Sequence, residues 1–368
     1  MPKPNNSDCP PDRVKPEIAR PVSLKQLAAH LGLNPATVSV VLNDVPGRAI
    51  PQSTRDRIKE AAKLLNYQPS LLARSLRNRN TLTIGILVPT LGEGYHTEIL
   101  GGIGDHLISA GYFYFLTHHR HRKDLVEEYC RMLLSRGAQG LIAVDTALEH
   151  SLPVPVVAVA GHRHFEGVTN VLLDHRLAAE LTLSHLISLG HRHIAFMRGQ
   201  TFSSDSEDRW NCLVGTAAKL GIEIQADLVV HLERDSTSPE LGYPVVQQLL
   251  SERRSFTAIV AFNDISAIGA IRALTDFGLK VPRDVSVIGF DDIRAAAFST
   301  PRLTTIRQPL AEMGKIAAQC LLDRIQNNAT GQDEIAVAPE LVVRESTATA
   351  KAAYSSSRGA TNRRSSAV

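Results

Sequence analysis

SLKQLAAHLGLNPATVSVVLN fills residues 23–43, and its reading decides how the amino end of the chain folds. Ser23 suits a helix N-cap, and Gln26 three residues later completes a capping-box pattern. Leu24, Leu27, Ala28 and Leu31 recur at helical spacing and give one apolar face. Gly32 stops this helix, because glycine accepts the left-handed conformation that helix ends need. Asn34 caps a second helix with Pro35 at its first position, where no N–H is required. Val38, Val41 and Leu42 face inward. Thr37, Ser39 and Asn43 are left outside as small polar groups, and Pro35, Ala36 and Val40 as small apolar ones. Two helices this short bury little alone. Residues 52–66 supply a third, amphipathic, with Ile58, Ala61, Ala62 and Leu65 inward.

A helix-turn-helix lays its second helix in the DNA major groove. Small side chains let the backbone approach the bases, and hydroxyl and amide groups reach phosphates. An ordinary helical hairpin has the same spacing, so the pattern needs support from elsewhere. The charge distribution is consistent with DNA. The 368 residues carry a net charge of only +3, yet residues 21–80 hold nine Lys and Arg against three Asp and Glu. Lys351, Arg358, Arg363 and Arg364 add charge at the carboxyl end with no acid among them, so residues 81–345 are acidic. A basic head on an acidic body fits a polyanion-binding module joined to a ligand-binding or catalytic one.

At 43% hydrophobic residues the chain can bury a large core and divide into two or three domains. Cys9, Cys130, Cys212 and Cys320 are scattered with no C-x-x-C pair, the pattern of reduced thiols in a cytoplasmic protein. The first residues have no apolar stretch of a secretory signal, and no run of about 18 apolar residues suggests a membrane span.

From Thr81 the texture changes. TLTIGILVP, YFYFLTH, GLIAV, VPVVAVAG, VTNVLLD, HIAFMRG, LVVHL, TAIVAF, VSVIGF and ELVVRES read as strands, and helical segments separate most of them. Such alternation predicts parallel sheets covered by helices on both faces, and the length predicts two lobes. Ligands in this architecture sit at the carboxyl ends of the strands. The expected organisation is a disordered lead at 1–20, a helix-turn-helix head at 21–66, a hinge at 67–80, a two-lobed body at 81–345 and a disordered tail at 346–368.

The hinge run Tyr67-x-Pro69-Ser70-x-x-Ala73-Arg74-Ser75-Leu76-Arg77 resembles that of the LacI/GalR (lac-repressor-like) family of transcriptional regulators. The likeness begins at SLKQLAAHLGL and ATVSVVLN. It continues through GHRHIAFMRG at 190–199, FNDISAIGAIRALTDFGLKVPRDVSVIGFDD at 262–292 and PRLTTIRQP at 301–309. Several motifs in the family's order are far more specific than any one alone. The resemblance implies an all-α helix-turn-helix head on an α/β two-lobed body like a periplasmic binding protein. It implies a homodimer on a pseudo-palindromic operator, in most members a repressor. An effector between the lobes, a sugar or related metabolite, would control the grip on DNA, with no cofactor.

By that resemblance Pro35, Ala36 and Val40 meet the bases, while Ser23, Asn34, Thr37, Ser39 and Asn43 hold phosphates. Many members carry Arg where Val40 stands, so apolar contacts and DNA shape weigh more here than hydrogen bonds. Tyr67 and Arg74 belong to the hinge, and Leu76 matches the leucine that wedges between base pairs in the minor groove. Tyr95, His96, Arg209, Asn263 and Asp291 match effector contacts, although Cys212 replaces the glycine of the R-x-x-G pattern. An aromatic that stacks the ligand in several members is missing near Thr237. In HHRHRKD at 118–124, His118, His119 and His121 read as solvated rather than as metal ligands, and His162, His164 and the GHRH histidines likewise.

Two other classes share the body. An α/β enzyme would need a phosphate loop, a G-x-G-x-x-G turn or a nucleophile elbow, and none of these spacings occurs. A solute receptor would carry a signal peptide and no DNA head.

Overall fold

The computed structural model describes residues 22–44, 47–67, 80–92, 94–160, 167–234, 238–326 and 333–351. The chain divides into two compact units, residues 1–81 and 82–368.

The first unit is built from α1 (Leu24–Leu31), α2 (Pro35–Leu42) and α3 (Gln52–Leu64). Its local chemistry follows the sequence closely. Ser23 Oγ accepts from Gln26 N at 3.3 Å, and Gln26 Oε1 accepts from Ser23 N at 2.8 Å, which closes the capping box. Gly32 ends α1 at φ 67°. Asn34 Oδ1 accepts from Ala36 N at 2.8 Å with Pro35 at the first helical position. Arg57 on α3 donates to the Leu31 carbonyl at 2.7 Å and so satisfies an orphan acceptor at the end of α1. Leu27, Ala28, Val38, Val41, Ile58 and Ala61 form the buried core, and Tyr67 packs against it.

The second unit holds two six-stranded sheets. Lobe 1 contains β1 (Thr83–Val88), α4 (Tyr95–Ser109), β2 (Phe113–His118), α5 (Lys123–Ser135), β3 (Leu141–Val144), β4 (Val156–Val159) and β5 (Val168–Leu173). The chain then enters lobe 2 through α6 (His175–Ser188), β6 (Ile194–Arg198), α7 (Ser206–Lys219), β7 (Val229–His231) and α8 (Tyr243–Ser251). Lobe 2 continues with β8 (Ala258–Val260), α9 (Asp264–Asp276), β9 (Ser286–Asp291), α10 (Arg294–Phe298) and β10 (Thr304–Arg307). Finally α11 (Leu310–Ile325) and β11 (Glu334–Val337) return to lobe 1, and β12 (Glu340–Val342) closes lobe 2. Strand order is β11-β5-β4-β3-β1-β2 in one sheet and β12-β10-β9-β8-β6-β7 in the other. The crossings leave from neighbouring strands, β5 beside β11 in lobe 1 and β10 beside β12 in lobe 2.

Three details differ from the sequence reading. Strands β10 and β11 and helix α10 are absent from the elements read off the sequence. Strand β12, from ELVVRES, pairs antiparallel with β10 rather than parallel. Residues 346–351, assigned to the tail, lie along lobe 2. Ser346 is fully buried, its Oγ donating to Val287 O at 2.6 Å and accepting from Thr304 N at 2.8 Å. Ala350 N donates to Leu189 O at 2.7 Å. Hydroxyls and main chain anchor this stretch, so its apolar content gave no sign of it.

Helix α11 packs against α4 with backbone nearly touching backbone. A Cβ on Gly102 would stand 1.9 Å from the Ala311 carbonyl oxygen, whereas one on Gly101 would meet nothing within 4 Å. Gly102→Ala is therefore expected to cost roughly 1–3 kcal/mol in urea unfolding. Gly101→Ala should leave stability unchanged or raise it by up to about 1 kcal/mol. Equal unfolding midpoints for the two variants would contradict this packing.

Candidate functional site

On α2 the outward face is a single stripe. Ala36, Val40 and Asn43 fall at i, i+4 and i+7, with Pro35 exposed at the helix start and Thr37 at the flank. Ser39 does not join them. It is 8% exposed, at the edge of the arc that carries Val38, Val41 and Leu42, and Asn43 Nδ2 donates to its carbonyl at 2.7 Å. Its expected place among the outward polar groups is corrected accordingly: it sits at the buried edge of the helix, with Asn43 Nδ2 also 3.3 Å from its Oγ. Ser23 and Asn34 are exposed and cap their own helices. Tyr67 is half-buried against the head core. Arg74 and Leu76 lie outside the described residues, as do Thr237, His162 and His164.

The cleft between the lobes is built from the carboxyl ends of strands of both sheets. Tyr95 and His96 open α4 after β1, Arg209 lies on α7 after β6, Asn263 caps α9 after β8, and Asp291 ends β9. All five line one cavity of about 110 Å³, together with Asp145, Gln200, Phe202, Asp205 and His121. Asn263 Oδ1 accepts from Ser266 N at 2.9 Å, so capping fixes its orientation.

Arg209 is held on every side. Its guanidinium lies 4.3 Å from the Phe262 ring centroid and 3.6 Å from that of Phe290, a cation–π sandwich. Its Nη2 donates to Phe262 O at 2.6 Å, and Nη1 is 3.6 Å from Asp205 Oδ2. Asp291 is buried, with Gln308 Nε2 donating to it at 2.7 Å. Burial pushes its carboxyl up to about 7, against the pull of Arg209 and the Gln308 hydrogen bond. Burial also holds the Tyr95 phenol well above its usual value, reinforced by Asp205, Asp145 and Asp291.

Asp145 joins the lobes. Ser204 of lobe 2 donates its N–H to Asp145 Oδ1 at 3.1 Å, and its Oγ stands 2.8 Å from the same oxygen. That Oγ is also 2.6 Å from the Ala160 carbonyl, so its one proton serves one acceptor at a time. His96 Nε2 lies 3.4 Å from Asp145 Oδ2. Burial alone would raise the Asp145 carboxyl, but the His96 and Ser204 hydrogen bonds outweigh it and bring it below the ordinary value. Asp145, Ala160, Asp291 and Asp292 have φ of 43°, 63°, 115° and 58°. Left-handed backbone at non-glycine residues thus gathers where strands enter the cleft, as strain often does at functional sites.

The histidine loop departs from its expected solvated state. His119 is 3% exposed, and burial, with His121 beside it, pushes its imidazole down to about 4. Thr146 Oγ1 donates to Val144 O at 2.6 Å, so it accepts from His119 Nε2 at 2.9 Å, which fixes the neutral tautomer. His121 stands in the cleft wall with its ring 4.2 Å from that of Phe202. His191 of the GHRH stretch is also buried, between Thr257 Oγ1 at 2.9 Å and the Ala348 carbonyl at 3.0 Å. Of the loop's three histidines only His118 is openly exposed. Among the described residues no group of three or more His, Cys, Asp or Glu is arranged to hold a metal ion.

Sequence reading therefore brought together the five effector positions and missed Asp145, Ser204, Phe202 and His121. Phe202 supplies an aromatic face in the cleft. Asp145 directly follows GLIAV, a strand end where this architecture places ligands, and that position was its only signal.

Two mostly parallel sheets facing across a polar cleft, with a three-helix head earlier in the chain, define a two-lobed ligand-binding protein of the regulatory class. Residues 183–347 match the periplasmic binding protein-like domain family. The HTH-type transcriptional repressor PurR of Haemophilus influenzae is 32% identical over 336 residues, 88% of this chain and 98% of that one. The lac repressor dimer bound to operator and the anti-inducer ONPF superposes with a TM-score of 0.81 at 25% identity, over 89% of this chain and all of that one. The regulator CelR in complex with cellobiose gives 0.66 at 27% identity, also over 89% of this chain and all of that one. The chain belongs to the LacI/GalR family of transcriptional regulators.

The raised Asp291 carboxyl has a thermodynamic consequence. It keeps its proton up to about pH 7 when folded, whereas its ordinary value is 3.8. Between those values the folded state binds more protons, so this group lowers stability as pH rises, with no further loss above about 7. Thermal melts of Asp291→Asn against the parent should show an advantage that grows from about pH 4 to about pH 7 and then levels off. A difference constant over that range would contradict the shift.

Proposed function

We propose that this chain is a cytoplasmic, homodimeric repressor, not an enzyme, whose hold on a pseudo-palindromic operator is set by a small neutral polyhydroxylated effector. The observation that carries the reading is the cleft: Tyr95, His96, Arg209, Asn263 and Asp291 line one cavity between the two sheets. Its charge favours the ligand class. One guanidinium, Arg209, faces Asp145, Asp205 and the partly protonated Asp291. An anionic ligand would meet mostly carboxylates, whereas sugar hydroxyls can donate to them and accept from Arg209 and Asn263. The ligands in the lac repressor and CelR complexes point the same way.

In the head, Pro35, Ala36 and Val40 meet the bases. Ser23, Asn34, Thr37 and Asn43 contact the backbone, and the hinge adds Tyr67, Arg74 and the Leu76 wedge. Exposed apolar residues support dimerisation of the body. Phe113, Phe115 and Leu116 lie open on edge strand β2, Ile108 near them in sequence, and Phe298 is 85% exposed on α10. Among the described residues no helix is long and apolar enough to cross a membrane. Closure on the effector shifts the balance of lobe angles, and with it the spacing of the two hinges.

The test is fluorescence anisotropy on a duplex taken from upstream of its own gene, with excess non-specific DNA. The expected result is selective binding that weakens with salt. Val40→Ala should alter base preference at one half-site position by roughly five-fold or more. Equal affinity for a scrambled duplex would contradict the function, and an unchanged preference in Val40→Ala would contradict the assignment of that residue.

A further inference from the structure

Beside the effector cavity of about 110 Å³ the cleft holds a larger space of about 960 Å³. His121, Asp145, Phe202 and Ser203 line both and form the partition between them. The larger space has mixed walls. Lys123 and Arg198 are paired with Glu149 and Glu207, Asp208 adds another carboxylate, and apolar side chains such as Leu148 lie among them. Such a wall selects no single ligand class, so this space is a vestibule to the inner cavity rather than a second site.

Two rings meet in the partition, and they come from different lobes. His121 lies in the lobe 1 loop after β2, and Phe202 in the lobe 2 loop after β6. Their centroids are 4.2 Å apart with the planes at 44°. Both loops hold their rings in place. Arg120 and His121 are consecutive left-handed residues, at φ 51° and 54°, a strained backbone that needs support from its neighbours. The buried His119 supplies that support. Its N–H donates to Val88 O at 3.0 Å and its carbonyl accepts from Arg122 N at 2.9 Å, while Arg120 N donates to Pro89 O at 2.8 Å. Opposite, Ser203 N donates to Gln200 O at 3.2 Å and closes the turn that carries Phe202, and Gln200 Nε2 donates to Arg234 O at 3.0 Å. Phe202 is 38% exposed, so its ring can swing toward the vestibule without disturbing a core.

We propose that His121 and Phe202 are the two leaves of a gate between the vestibule and the inner cavity, and that this gate sets how fast a ligand enters and leaves. The proposal rests on the reading of the inner cavity as the effector site and adds a controlled entrance to it. The ring contact does a different job from the hydrogen bond of Ser204 to Asp145. The polar link ties one lobe to the other, whereas the rings cover the path between the two spaces. Because the leaves belong to different lobes, the gate opens when the lobes part or when the phenyl ring turns aside.

The test uses the full chain with a thiol placed in the cleft. It needs no effector, so its failure would leave the reading of the inner cavity intact. Thr90 lines the inner cavity and not the vestibule, and Ala147 the reverse. Alkylation of Thr90→Cys and, separately, of Ala147→Cys by N-ethylmaleimide would be followed by peptide mass spectrometry, which sets the native cysteines apart. Thr90→Cys should react more slowly than Ala147→Cys. Adding Phe202→Ala or His121→Ala should speed Thr90→Cys by roughly three- to ten-fold, because the reaction follows the population of the open gate, and leave Ala147→Cys within about two-fold. With both leaves removed, Thr90→Cys should react no faster than with one removed, since one missing ring already opens the path. Phe202→Tyr, which keeps the ring, should retain the parent rate, and thermal melts verify that each variant folds. Unchanged rates at Thr90→Cys, accelerations that multiply when both rings are removed, or an equal acceleration at Ala147→Cys would overturn the gate.

Discussion

Asp145 is the pivot of the body. It follows a lobe 1 strand in a left-handed conformation, is half-buried, and stays ionised because Ser204 and His96 supply its hydrogen bonds. Ser204 belongs to the other lobe. Opening the cleft would remove the Ser204 N–H and its shared hydroxyl from this carboxylate and leave it with His96 of its own lobe, a loss that water must make good. The same carboxylate lines the effector cavity. A group that links the lobes is therefore one that a ligand hydroxyl can address, which ties filling of the cleft to the lobe angle.

The rest of the cleft follows from how its charges are placed. Arg209 is fixed by two aromatic rings and a carbonyl before any ligand arrives, so it loses little freedom on binding. Asp264 lies beneath the floor, accepting from Ile293 N at 2.9 Å and Thr305 Oγ1 at 2.6 Å, and so pins the turn that presents Asp291. Burial and the neighbouring Asp291 carboxylate hold Asp264 well above the usual carboxylate range. Two adjacent buried acids thus share a region where both cannot easily ionise. The site favours hydrogen-bonding groups over added negative charge.

Much of this was legible in the sequence. Ser23, Gln26, Gly32, Asn34 and Pro35 act locally, within a turn of helix, and each does what its type and spacing imply. The strand and helix alternation of the body is a property of periodicity and came through equally well. The five effector positions came through the family resemblance. What did not come through depends on contacts far apart in the chain. Ser204 meets Asp145 across 59 residues, and His119 is buried by a fold that its own loop does not encode. Ser39 sits at the edge of the buried arc because Val38 and Val41 set the rotation of α2, and a single hydroxyl could not signal that. Residues 346–351 bind through backbone and hydroxyls, which composition reads as tail.

Cleft and head are held to share one equilibrium, and calorimetry tests that directly. The affinity of the sugar that most stabilises the protein would be measured twice, on free protein and on protein saturated with operator duplex. Linkage requires the two values to differ by the same factor as the operator affinities with and without the sugar, a factor of roughly five or more. Identical sugar affinities in the two titrations would contradict the coupling, however tightly either ligand bound.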